Sequence, residues 1–257
     1  MLGLATEVAK LEESERLQIV ELATEEVSGK VPLAVTVYGY TVEQQIRFAG
    51  LAQSRGTDWL ILQPPPVKGL SEVDCLDFFG KVMDSTSQPV AIQNAPEYLG
   101  VGLSVKGLMT LLERHPNFIL LKGEGPTVTM AGVVQATEGK LSVFNGRGGL
   151  ELTDCLRAGC IGMVPAPECV DWQIRIYELM KDGGPKAEAE AERFYREILP
   201  VIVFVMQSIE HFLCYGNRIL ANRLELEVHD RLPAMIPTNF GLDRVRDYAK
   251  MLGSWPG

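Results

Sequence analysis

The sequence predicts an α/β fold: parallel strands covered by helices, followed by an all-helical tail. Three observations carry that prediction. Six short apolar runs alternate with longer stretches of helical period between Val31 and about Lys181, and no strand candidate follows. The runs begin 20 to 31 residues apart, room each time for a strand, a helix and two loops. Each run is apolar on both faces, as strands buried inside a parallel sheet are.

Taken in order, residues 12–27 come first as a helix with Leu17, Val20, Ala23 and Val27 on one face. The first strand is 31–37 (VPLAVTV). Thr41 with Gln44 then fits a capping box, opening a helix whose apolar stripe is Val42, Ile46, Ala49 and Ala52. The second strand, 58–63 (DWLILQ), leads to a helix with the stripe Val73, Leu76, Phe79 and Val82. Strands at 89–93 (PVAIQ), 118–122 (FILLK), 141–145 (LSVFN) and 161–164 (IGMV) complete the series. Gly183, Gly184 and Pro185 end one helix and start the next. Residues 186–198 have strong helix-forming composition, and Pro200 is expected to kink or divide them from a further helix at 201–220.

Six strands and a helical tail suit either a doubly wound open sheet or a (βα)8 barrel. The open sheet lacks its glycine fingerprint: Asn145-Gly146-Arg147-Gly148-Gly149 comes late in the chain, with no acidic partner about 20 residues on. For the barrel, residues 1–4 read as the end of one more strand, and the helix at 12–27 has almost nothing before it to supply its own. Counting points towards the barrel, as a (βα)8 barrel lacking its N-terminal strands and followed by a C-terminal helical extension, the form that the resemblance given below implies. Its expected organisation is residues 1–182 for the incomplete barrel and 183–257 for the helical region.

Composition narrows the function. With 46% hydrophobic, 22% charged and 7% aromatic residues, the 257-residue chain is of globular type. Its longest apolar run, 199–206, contains a proline and falls well short of the roughly 20 residues a membrane helix needs. The first ten residues lack the pattern of a secretory signal, so a cytoplasmic location is the default expectation. A net charge of −9 has the wrong sign for a nucleic-acid surface. The five cysteines are odd in number and form no CxxC, which argues for free, mostly buried thiols rather than disulfides or a zinc site.

Lys122 closes an apolar strand, where an ammonium is costly because burial disfavours charge. At the C-terminal end of a barrel strand it would stand at the mouth, where catalysis is placed. Side chains alternate along a strand, so Lys122 and Glu124 share one side if the extended chain continues past Gly123. An amine can attack a ketone to form a Schiff base, and a neighbouring carboxylate can move the protons that follow. The plainer alternative is a lysine reaching solvent beside a loop glutamate. Gln93 and Asn94 place two amides at the end of the neighbouring strand, able to donate to a carboxylate or hydroxyl. Gln63 opens a rigid proline loop, Pro64 to Pro66. His115, His211 and His229 have no companion at a useful spacing and read as structural or exposed.

These residues resemble the dihydrodipicolinate synthase and N-acetylneuraminate lyase family of class I aldolases, (βα)8 TIM barrels with a C-terminal helical extension. Gly3-Leu4-Ala5-Thr6-Glu7 looks like the family's GTTGE segment. Residues 89–100 look like its strand ending YNxPxxxG, residues 118–122 like its Schiff-base lysine strand, and residues 158–162 like the GAxG before the last barrel strand. The departures bear on the reaction. Gln93 stands where the YN tyrosine would be, Pro65 and Pro66 where two further tyrosines would be, and Leu4 and Ala5 replace the hydroxyl residues of GTTGE. Tyr98 falls where dihydrodipicolinate synthases carry an arginine for the second substrate. Gln-Asn-Ala-Pro with Lys-Gly-Glu is instead similar to the 2-keto-3-deoxy-L-arabonate dehydratase branch.

The resemblance implies a cytoplasmic lyase of carbohydrate metabolism acting on a small 2-keto acid, most of all a dehydratase for a 2-keto-3-deoxy sugar acid. Lys122 would form the Schiff base and Glu124 would move the C3 proton. Gln93 and Thr6 would orient the substrate, and Asn145 and Gly146 would lie near the same pocket. No metal or organic cofactor, nucleic acid or membrane enters this expectation, and a homo-oligomer, possibly a tetramer as in many family members, does. Two rivals stand beside it: a retro-aldol lyase releasing pyruvate, and a non-catalytic keto-acid-binding or assembly protein suggested by the incomplete start of the barrel.

Overall fold

All six apolar runs form strands in the computed structural model, which describes residues 1–256. The chain divides into two compact units, Met1–Phe144 and the remainder from Asn145.

In the first unit, helix α1 (Glu13–Val27) precedes β1 (Ala34–Val37), and α2 (Val42–Gln53) leads to β2 (Trp59–Leu62). Helix α3 (Glu72–Asp84), β3 (Val90–Asn94), α4 (Pro96–Leu99), α5 (Val105–Arg114), β4 (Phe118–Gly123), α6 (Thr127–Thr137) and β5 (Ser142–Asn145) follow. Pairs β1/β2, β2/β3 and β3/β4 are parallel. The strand end expected at residues 1–4 is one bridge: the Met1 amine donates to the Ala34 carbonyl (2.6 Å) and the Thr36 amide to the Met1 carbonyl (3.0 Å). Residues Leu4–Thr6 then turn into a 3-10 helix.

Strand register decides what faces what. Ile61, Ala91 and Leu120 form a cluster on one face, joined by Ala34, Trp59 and Phe144. Leu60, Leu62, Val90, Ile92 and Leu121 are buried on the other, where α2 and α5 pack on β1 and β4. The β3/β4 register slips once: Val90 pairs with Phe118 but Ala91 with Leu120, leaving Ile119 unmatched and 44% exposed. A one-residue slip changes which face every later side chain takes. Here it aligns Lys122 with Gln93.

The helices follow the expected pattern with shifts. In α1 Val20 is fully buried, while Leu17, Ala23 and Val27 are half-buried. Thr41 caps α2 by accepting from the Gln44 amide (3.2 Å), but the returning Gln44 side chain accepts from Tyr40 (2.8 Å), one residue earlier than a capping box requires. The buried face of α2 includes Gln45 and Phe48 beside Ala49 and Ala52. In α3 the buried face runs through Cys75, Phe78, Phe79 and Val82, and Val73, expected on that stripe, is 73% exposed.

The second unit carries α7 (Leu152–Arg157), β6 (Gly162–Met163), α8 (Val170–Asp182), α9 (Pro185–Val205), α10 (Ile209–His211), α11 (Asn217–Leu224) and α12 (Asn239–Leu252). Within this unit the Val164 amide donates to the Asn145 carbonyl (2.8 Å). No strand follows β6 among the described residues. Pro200 does not divide α9, which runs unbroken through it. The break falls at 206–208, where Ser208 adopts an extended conformation and its hydroxyl accepts from the His211 amide (3.1 Å). A single π turn, Phe212–Gly216, joins α10 to α11. Ile176, Ile198, Val201, Ile202, Val205, Ile219 and Val245 build the core of this unit. All five cysteines are buried and none forms a disulfide. Among the described residues no single helix is long and apolar enough to cross a membrane.

Within this core Arg223 grips Asp171 with two hydrogen bonds (2.9 and 2.6 Å) and donates to the Glu168 backbone carbonyl (2.7 Å). The Glu168 carboxyl is fully buried, and no other residue donates a hydrogen bond to it. Burial pushes it up to about 7, opposed first by its own backbone amide and then by Arg223. A raised carboxyl means that the folded state holds a proton the unfolded state has lost, so stability falls as pH rises from about 4.5 through 7. At about 1.4 kcal/mol per pH unit the loss amounts to about 3 kcal/mol. Glu168→Gln cannot ionise, so its melting temperature should gain on the parent between pH 5 and pH 8. Parallel melting curves across that range would contradict the assignment.

Candidate active site

Lys122, the penultimate residue of β4, and Glu124, just beyond its end, are brought together by the alternation of an extended chain. The extension past Gly123 holds: the Glu124 amide donates to the Asn94 carbonyl of β3 (2.9 Å), continuing the ladder. Between them Gly123 leaves room for α6: a Cβ there would stand 2.3 Å from the Met130 sulfur and displace that flexible side chain. Lys122 Nζ lies 2.9 Å from Glu124 Oε1, with the two residues 8% and 4% exposed. The solvent-reaching lysine and loop glutamate of the plainer alternative are therefore not what the chain builds. Burying both ions costs several kcal/mol each before their attraction is counted, so the pair is expensive as mere scaffolding.

Gln93 pairs with Lys122 across β3/β4, and its Nε2 donates to Glu124 Oε1 (2.5 Å). Behind it, Gln63 Nε2 donates to Gln93 Oε1 (2.6 Å), and Gln45 Nε2 on α2 donates to the Gln63 carbonyl (2.9 Å) and the Gly39 carbonyl (3.3 Å). All three glutamines are buried. A Cβ on Gly3 would lie 3.6 Å from Lys122 Nζ, which puts the N-terminal turn beside the amine. Tyr38, past the end of β1, has its phenol pushed up to about 12, chiefly by burial and then by its hydrogen bond with Tyr40. The arrangement offers a sheltered amine as nucleophile, a carboxylate in contact with it to move protons, and an amide fixing that carboxylate.

The other expected residues are placed as follows. Thr6 sits in the exposed 3-10 turn, its hydroxyl donating to the Gly3 carbonyl (3.0 Å). Asn145 is buried in the second unit, where its Oδ1 accepts from the Arg147 amide (3.1 Å), and Gly146 beside it is half-buried. Asn94 does not present its amide at the mouth: Nδ2 donates to the Leu103 carbonyl (3.0 Å) and Oδ1 accepts from the Leu103 amide (2.8 Å), pinning the loop after β3. His115 is buried, with Nδ1 3.1 Å from Asp84. Among the described residues, no three His, Cys, Asp or Glu side chains are grouped to hold a metal. Sequence reasoning passed over Gln63 as the start of a proline loop and gave no signal for Gln45, which sits among the apolar positions of α2.

A model of the dihydrodipicolinate synthetase family matches residues 1–239. A 4-hydroxy-tetrahydrodipicolinate synthase of Oceanobacillus iheyensis is 26% identical over 205 residues, covering 78% of this chain and 67% of the synthase. The Escherichia coli K12 protein YagE, provisionally named a 2-dehydro-3-deoxy-D-gluconate aldolase, is 29% identical over 121 residues, covering 47% of this chain and 40% of YagE. These matches span from under half to two thirds of the relatives' own lengths. The crystal structure of YagE in complex with pyruvate superimposes with a TM-score of 0.89 at 20% identity, covering 98% of this chain and 85% of YagE. That likeness shows the fold class, an α/β barrel type with a C-terminal helical extension.

Proposed function

Because the chain belongs to the dihydrodipicolinate synthetase family, we propose that it is a Schiff-base lyase acting on a small 2-keto acid, and that its reaction is the dehydration of a 2-keto-3-deoxy sugar acid. The observation that carries the reading is the buried contact of Lys122 Nζ with Glu124 Oε1 at 2.9 Å. In the proposed course Lys122 attacks the C2 carbonyl and expels water to give an iminium, which draws electrons from C3 and acidifies its protons. Glu124 takes one C3 proton. The resulting enamine pushes out the C4 hydroxyl, which leaves as water with that proton, and hydrolysis of the iminium frees Lys122. Gln93 and Lys122 both meet Oε1, so Oε2 is the oxygen assigned to the proton. The scheme calls on no metal or organic cofactor.

A second reading, retro-aldol cleavage to pyruvate and an aldehyde, is favoured by the aldolase name of YagE. Proton NMR of the protein with 2-keto-3-deoxy-L-arabonate separates the two. The expected result is a water-loss product with the carbon chain intact. Pyruvate with an equimolar aldehyde would replace dehydration by cleavage.

Condensation of pyruvate with aspartate semialdehyde should not proceed at a useful rate. Gln93, Pro65 and Pro66 stand in place of tyrosines, Leu4 and Ala5 in place of hydroxyl residues, and Tyr98 in place of the arginine. Robust turnover in a coupled synthase assay would overturn the branch assignment.

A further inference from the structure

We infer that Gln63 is a positioning residue for proton transfer: it acts through Gln93 to present an N–H donor, rather than a carbonyl oxygen, to the Glu124 carboxylate. The inference rests on the proposed role of Glu124 and adds a residue to it.

Hydrogen-bond direction sets the role of Gln63. A carboxamide has a donor end and an acceptor end of nearly equal size, and nothing in its shape decides which faces a neighbour. An ionised carboxylate only accepts, so Gln93 supports Glu124 in one of its two orientations and repels it in the other. The structure chooses by occupying the far end of Gln93: Gln63 Nε2 donates to Gln93 Oε1 (2.6 Å), which leaves Nε2 to donate to Glu124 Oε1 (2.5 Å). Were Gln93 reversed, its N–H2 would meet the N–H2 of Gln63 and its oxygen would meet the carboxylate, with all of them sealed from water. A mismatch of that kind costs more than a hydrogen bond gains, because buried polar groups would be left without partners.

Gln63 is itself held at its backbone. Its amide donates to the Val37 carbonyl (3.2 Å) and its carbonyl accepts from Gln45 Nε2 (2.9 Å). A Cβ on Gly39 would crowd this corner, standing 3.0 Å from the Gln44 Cβ and 3.3 Å from the Gln45 side chain. Leu62 pairs with Ile92, and Gln93 with Lys122, so carrying the register one residue on sets Gln63, Gln93 and Lys122 in one row across three strands. The cluster of Ile61, Ala91 and Leu120 lies two residues below along each strand. The donor direction thus runs from the Gln63 side chain through Gln93 to the carboxylate, while Gln45 holds the Gln63 backbone carbonyl in place. Lys122 is the charged group in contact with Glu124 and is unchanged by substitutions along this chain.

Pyruvate is the probe. Borohydride trapping reads iminium formation at Lys122, and exchange of the pyruvate methyl protons with D2O, followed by NMR, reads proton removal from that iminium. Gln63→Met keeps the side-chain length and removes the donor. It should trap pyruvate as the parent does and exchange protons roughly tenfold more slowly, within the range of partial loss of an acid/base contribution. Gln93→Met should slow exchange at least as much, and the double variant should lose no more than Gln93→Met alone, because Gln63 acts through Gln93. Normal trapping also certifies that a variant folds. Gln63→Asn, which draws the amide back by one methylene, serves if Gln63→Met does not, and should slow exchange in the same way.

Exchange at the parent rate in Gln63→Met or Gln63→Asn, or losses that add in the double variant, would overturn this inference while leaving the Schiff-base reading intact. A parent that traps pyruvate but exchanges no protons removes the role of Glu124, and this inference with it. A parent that traps nothing removes the Schiff-base reading beneath both.

Discussion

Lys122→Ala is expected to lose turnover entirely and to take up no pyruvate mass on borohydride treatment. The glutamines of the site cannot replace it, because an amide nitrogen forms no iminium. Removing the lysine also leaves Glu124 buried opposite nothing but the Gln93 amide, and stranding one member of a buried pair costs about 3–5 kcal/mol. Loss of activity in Lys122→Ala alone would thus be open to the objection that the fold has loosened. Lys122→Arg answers it. A guanidinium keeps a positive charge against Glu124 but stays protonated at any working pH, so it cannot attack a carbonyl. Lys122→Arg should melt near the parent temperature and still form no adduct, and an adduct in either variant would place the iminium elsewhere.

Glu124→Gln is expected to separate the two halves of the reaction. The substitution keeps the size of the side chain and most of its hydrogen bonding, but an amide cannot accept the C3 proton. Trapping of pyruvate should therefore survive, since Lys122 is intact. Dehydration of a 2-keto-3-deoxy sugar acid should fall by roughly 100-fold or more, the usual contribution of a positioned acid/base group. The two assays belong on one preparation with a melting curve beside them. Dehydration within a few-fold of the parent would reduce Glu124 to a structural partner of Lys122.

How much of this was legible in the sequence depends on whether a feature is local. The six strands were, because a run apolar on both faces has few other places to go. So was the pairing of Lys122 with Glu124, which needs only the alternation of an extended chain. The alignment of Lys122 with Gln93 was not. It follows from the slip at Ile119, and nothing in FILLK distinguishes a residue that bulges from one that pairs. Gln45 and Gln63 were missed for a related reason. A buried glutamine is tolerable only when its partners arrive from other strands and helices, and the chain does not announce which those are. Val73, and Pro200 as a divider of the tail, erred the other way. Each obeys a local rule, an apolar stripe or a helix breaker, that tertiary packing overrides: α3 turns its buried face to Cys75 and Phe78, and α9 continues through its proline to Val205.

The central claim is that the buried amine of Lys122 forms a covalent iminium with a 2-keto acid. The measurement that tests it most directly is the intact mass of the protein after incubation with pyruvate and borohydride, followed by peptide mapping. A single addition of reduced pyruvate, located on Lys122, is expected. A folded protein that gains no mass, or gains it on another lysine, would contradict it.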